Sequence, residues 1–99
     1  MKIISNMLDC FQDEVDGAMD YAEKYIEYRA RGDMSRANKY KEMAHDELKH
    51  AGYIRDMHLQ DIEELGKVYT LTEAEEEMWA RAHKHINEQM ALVKHLLSM

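Results

Sequence analysis

Three side chains in this chain have the types and spacing to hold a divalent cation: Glu14, Glu47 and His50. Glu47 and His50 form a Glu-x-x-His pair. Residues three apart on a helix are neighbours, so a carboxylate oxygen and an imidazole nitrogen come within reach of one ion. That donor set suits iron(II) or manganese(II), and zinc accepts it too. The spacing alone is common in a chain with 20 acidic residues and six histidines, and a second pair exists, Glu42-x-x-His45. Phase separates them. At about 100° per residue, Glu47 falls in the middle of an apolar stripe of Tyr40, Ala44, Ala51 and Ile54, with His50 at its edge. Glu42 and His45 point to the opposite side. An acid set among apolar side chains is costly unless paired or metal-bound.

Such a site needs helices to carry it. Arg31-Gly32-Asp33 reads as a turn, with Gly32 able to take positive φ and Asp33 able to cap the next helix. Gly66 to Thr72 is the second break: Gly66 closes a helix and Thr72-x-x-Glu75 reads as a capping box. The spacing predicts one helical domain over 1–99, with helices at about 3–31, 34–65 and 73–97. Ile4, Leu8, Phe11, Val15, Ala18, Ala22 and Tyr25 make one stripe on the first helix. Ile62 and Leu65 extend the second stripe, and Met78, Trp79, Ala82, Ile86, Met90, Val93 and Leu97 form the third. The fold class is therefore all-α, built on an antiparallel two-helix hairpin plus a third helix. Across the short turn, the heights of Glu47 and His50 match a residue fifteen to eighteen positions before it. Glu14 has that height and flanks the first stripe, whereas Asp16 and Asp20 face away. The plain alternative is a carboxylate–histidine hydrogen bond with Glu14 as an exposed edge residue.

Composition bounds the rest. The chain has 99 residues, no Pro and 4 Gly, with 45% hydrophobic and 33% charged residues, which suits long helices and a thin core. A net charge of −7 argues against a nucleic-acid surface and is compatible with cation binding or simple solubility. No apolar run approaches membrane-spanning length. Asp9 and Asp13 come too soon after the first apolar residues for a signal peptide, so cytoplasm is the default location. The lone Cys10 excludes an internal disulfide and a thiolate metal cluster.

The segment Tyr40 to Ala51, with Ala44-x-x-Glu47-x-x-His50-Ala51, resembles the second ligand helix of the ferritin-like superfamily, which includes rubrerythrins, bacterioferritins and encapsulated ferritins. Glu14 is similar to the single Glu of that family's first helix. The resemblance covers about residues 8–60, and the third helix has no clear counterpart. It implies a four-helix bundle that holds two metal ions, using one Glu from each of two helices and Glu-x-x-His from each of the other two. This chain supplies one helix of each kind. His85-x-x-Glu88 on the third helix is reversed and off the stripe. The resemblance therefore implies a homodimer or higher oligomer whose twofold axis brings together two copies each of Glu14, Glu47 and His50 as catalytic and metal-binding residues. It implies two iron ions per dimer and ferroxidase-type oxidation of iron(II) by oxygen or peroxide. An encapsulin shell is the partner of the short-chain members, but the ending His95-Leu96-Leu97-Ser98-Met99 lacks their Gly-Ser-Leu type tail.

Two other functions compete: a rubrerythrin-like peroxide scavenger, and a metal-free helical assembly module. Tyr21 and Tyr25 are close enough to Glu14 to serve it, although packing is the ordinary role of such tyrosines. His58, with Asp61 beside it and His83 at similar height, would be a second metal site or, more simply, hydrogen-bonded core histidine. The acids from Glu73 to Glu77 answer a helix dipole, and nine Met residues fill core and interface volume.

Overall fold

A computed structural model describes all residues, Met1–Met99. It contains α1 (Lys2–Ala30), α2 (Met34–Leu65) and α3 (Glu73–Leu97), within a residue of the predicted bounds. Local chemistry sets each break. Gly32 has φ 77°, where a Cβ would be strained. Asp33 accepts the Arg36 backbone N–H at 3.1 Å and so caps α2. Gly66 ends α2 with a helical φ of −62°, so this break does not use glycine's left-handed freedom. At Thr72 the hydroxyl accepts from the Glu75 N–H at 3.1 Å, and the Glu75 carboxylate accepts from the Thr72 N–H at 3.0 Å. Glu73, Glu75 and Glu76 occupy the first turn of α3, and Lys94 and His95 the last, as the helix dipole favours.

The turn at Gly32 lays α2 antiparallel to α1. α3 then runs in the same direction as α1: the N-terminal ammonium lies 3.7 Å from Glu75, the Phe11 and His83 rings are 5.5 Å apart, and Gln12 donates to Gln89 at 2.8 Å. α1 is the central element, with α2 and α3 packed along it. Its buried line of Ile4, Leu8, Phe11, Val15, Ala18, Ala22 and Tyr25 is the predicted stripe, joined by Met7. The molecule measures 54 × 19 × 18 Å with a radius of gyration of 16.1 Å, against about 13 Å for a compact domain of this length. Only 16 of 99 residues are buried, none of them polar, and so slender a core gains much from a partner.

The second stripe is turned from its predicted position. Ala37, Ala44, Leu48 and Ala51 are buried on α2, while Tyr40, Ile54, Ile62 and Leu65 are only partly so. Leu48 joins the core in their place. Glu47 consequently lies at the edge of the buried line and not in its middle. On α3, Met78 is exposed, and burial runs along Ile86, Met90, Val93 and Leu97.

Candidate metal centre

Glu14 leaves α1 on the flank turned away from α3. Glu47 and His50 leave α2 on the facing flank, one helical turn apart. The heights match because each residue sits near the middle of its helix, equally far from the turn at Gly32. One ligand atom from each of the three lies within 4.8 Å of the others. His50 Nδ1 is 3.9 Å from Glu47 Oε1, too far for a hydrogen bond and suited to an ion between them. The Glu47 side chain is 28% exposed and that of His50 57%, so the cluster opens on the surface of the hairpin.

The electrostatics are those of two acids forced together. The Glu47 pKa is raised, first by a hydrogen bond to the Glu14 carboxyl, then by burial and by the charge of Glu14; His50 opposes this. Without a cation, one proton shared by the pair relieves the repulsion. A divalent ion would relieve it more completely.

Gly17 belongs to the same cluster, and sequence reasoning does not single it out. A methyl placed there would lie 3.4 Å from Glu47 Oε2, so the carboxylate packs directly against the backbone of α1. A glycine inside a helix costs about 1 kcal/mol relative to alanine. Its position one turn after Glu14 is the signal that could have found it.

The tyrosines are taken up by packing. Tyr21 lies 6.2 Å from Tyr40, and Tyr40 stacks on Tyr28 at 5.5 Å. Tyr25 is buried, with Lys41 over its ring at 5.3 Å and Arg29 donating to its hydroxyl at 3.5 Å. Glu42, His45, His85 and Glu88 are exposed. Asp61 is exposed as well and forms no cluster with His58 and His83.

His83 meets the hydrogen-bonded expectation at one ring nitrogen only, and His58 Nδ1 departs from it. His58 Nδ1 and His83 Nε2 are buried without partners. Arg55 donates to Asn87 Oδ1 at 3.3 Å, which turns the Asn87 amide nitrogen toward His83 Nδ1 at 3.0 Å. Nδ1 therefore accepts, and His83 is the neutral Nε2–H tautomer. The ring stacks on Trp79 at 5.2 Å and meets Phe11 at a tilt of 42°. Burial, then the charges of Arg55 and His58, hold its pKa below the ordinary histidine value.

No helix is long and apolar enough to cross a membrane. No family model, curated protein or solved structure matches this chain.

Proposed function

We propose that this chain is a ferritin-like, iron-binding protein that oxidises iron(II) with oxygen or peroxide at a site shared by two copies. One observation carries the proposal: two carboxylates and an imidazole from adjacent helices converge, with ligand atoms within 4.8 Å of one another, on an open face. The donors fit the ion. Glu14 and Glu47 supply negative charge and oxygen, and His50 supplies one nitrogen. Three ligands from one chain leave coordination positions free, and a second copy across a twofold axis brings three more, enough for two ions. A cation between Glu14 and Glu47 would relieve the repulsion of the two acids. Each iron(II) gives up one electron, and a pair reduces one peroxide and two protons to water.

The test is anaerobic titration with iron(II), followed by admission of air. Binding saturates at two ions per dimer, and near-ultraviolet absorbance of the ferric product then grows. Glu47→Ala and His50→Ala abolish uptake while helical circular dichroism is kept. Oxidation that persists in both variants overturns the proposal, as does a strictly monomeric iron-loaded protein.

A further inference from the structure

The two halves of α3 are held in different ways. Ile86, Met90, Val93 and Leu97 are buried and anchor the second half. From Glu73 to His85 no side chain is buried. A clasp of aromatic rings and histidine ties that first half down, together with an ion pair of 3.7 Å between the N-terminal ammonium and Glu75. In the clasp Trp79 stacks on His83, and Phe11 of α1 meets the same imidazole. The Arg55–Asn87 hydrogen bond is the one polar link from α2 to α3. The segment leading into the helix, Gly66 to Thr70, is exposed throughout, so little packing is lost there if the start of α3 moves.

The clasp is built for a neutral ring. Three contacts fix the Asn87 amide: its oxygen accepts from Arg55 at 3.3 Å, and its nitrogen donates to the His83 carbonyl and to His83 Nδ1, both at 3.0 Å. A proton on Nδ1 would set two donors against each other. Flipping the amide to accept it would turn the amide nitrogen toward Arg55, another donor. The second ring nitrogen, Nε2, is buried with no acceptor, and a buried donor without a partner is costly, more so when charged. Burial disfavours a charged ring, and the two charged groups that face it, Arg55 and His58 on α2, oppose a proton as well. Asp56, which pairs with Arg55 at 3.1 Å, is exposed. α1 offers the ring only Phe11, and α3 offers Trp79 and Asn87, all of them uncharged.

We propose that this clasp is an acid-released catch: a proton on His83 frees the first half of α3 from the hairpin, while Ile86 to Leu97 stay docked and α1 and α2 stay paired. Release uncovers Phe11, 1% exposed when the catch is closed, and the Trp79 ring, so an apolar patch appears only in acid. The direction follows from linkage. Once freed, His83 takes up its proton near the ordinary value of about 6.5. Closing requires the neutral ring, so it is at full strength above that pH. Below it, closing weakens by up to about tenfold per pH unit until the closed form is itself protonated. The catch is separate from the metal site, which lies on the flank of α1 turned away from α3.

Trp79 is the only tryptophan and reports the catch directly. As the full chain is taken from about pH 7.5 to about pH 5, Trp79 emission shifts to the red and acrylamide quenching rises about threefold or more, reversibly and with the slope of one proton. Over the same range, amide-exchange protection factors at Met90, Val93 and Ala44 stay within about threefold of their neutral values. Two variants assign the proton. His83→Phe keeps a stacked ring that cannot titrate, and Trp79 stays covered throughout. Asn87→Asp sets an acceptor before Nδ1 and keeps an oxygen for Arg55, so the charged ring gains a partner and the Trp79 transition is lost down to about pH 5. If His83→Phe does not fold, Asn87→Asp carries the test alone. A Trp79 spectrum that does not move in the original chain, or that moves equally in Asn87→Asp, overturns the inference. So does loss of protection at Met90, Val93 and Ala44 together with Trp79, which is unfolding of the whole chain.

Discussion

Replacing Glu47 by glutamine should make the metal-free protein more stable and the metal-loaded protein impossible to form. In the folded chain the Glu47 pKa is raised by its hydrogen bond to Glu14 and by burial. A carboxyl raised in this way contributes stability as the neutral acid, which is lost as pH rises through the folded value. At neutral pH the charged pair is a liability. Ligand atoms of the two carboxylates lie within 4.8 Å. At that separation two unit charges repel by about 1 kcal/mol in bulk water and about 3.5 kcal/mol at an effective dielectric constant of 20. Glu47 is 28% exposed and the cluster opens to solvent, so screening favours the lower end, about 1 kcal/mol. Glutamine removes one charge, keeps the shape and can donate its amide N–H to Glu14. Its Tm should rise by roughly 4–8 °C at pH 7 without metal. The assay is thermal unfolding by circular dichroism with and without iron(II) under anaerobic conditions. Wild-type protein gains about 2.7 kcal/mol when free metal is a hundred times Kd, and the variant gains nothing. A lower Tm for metal-free Glu47→Gln, or an undiminished metal-induced rise, would refute the reasoning.

Other outcomes rest on the same geometry. The His50 side chain lies largely in solvent, so His50→Ala should leave metal-free stability within about 0.5 kcal/mol of wild type while abolishing iron(II) binding in calorimetry. Because the folded chain holds His83 below its ordinary pKa, stability is full above about pH 6.5 and declines as pH falls toward the lowered value. His83→Phe should flatten that acid limb, whereas an unchanged limb would show that the Arg55–Asn87–His83 chain is not its source. Gly17→Ala should raise helix stability by about 0.5–1 kcal/mol yet impair metal uptake by crowding Glu47; equal iron affinity in the two proteins would deny Gly17 that role. Gly32→Ala, at φ 77°, should cost about 1 kcal/mol, read as a lower urea midpoint.

Legibility in the sequence differs from residue to residue. Thr72 and Glu75 cap α3 as their spacing says, because a capping box is closed within four residues and needs no distant partner. Asp33 and Gly32 behave likewise. Glu14 is read from height, since a short turn couples the registers of two helices, and from its place on the flank of the first stripe, which sets it apart from Asp16 and Asp20. Leu48 and Ala37 escape as core because helical phase gives an axis of burial only relative to neighbours, which periodicity within one helix does not place. Gly17 escapes because its meaning is a contact with Glu47, thirty positions away in sequence.

Periodicity, turn chemistry and caps, all interactions of a few residues, determined three helices, their bounds and the pairing of the first two. They also put Glu14, Glu47 and His50 at one level. Only the tertiary arrangement decided how far each helix is rotated about its axis. That rotation moved Glu47 from the centre of the buried line to its rim, left Tyr21 to packing, and drew His83 beneath Trp79 against α1. The reason is that a helix has one local geometry but many ways to face its neighbours, and the choice is made by the total burial of all three together.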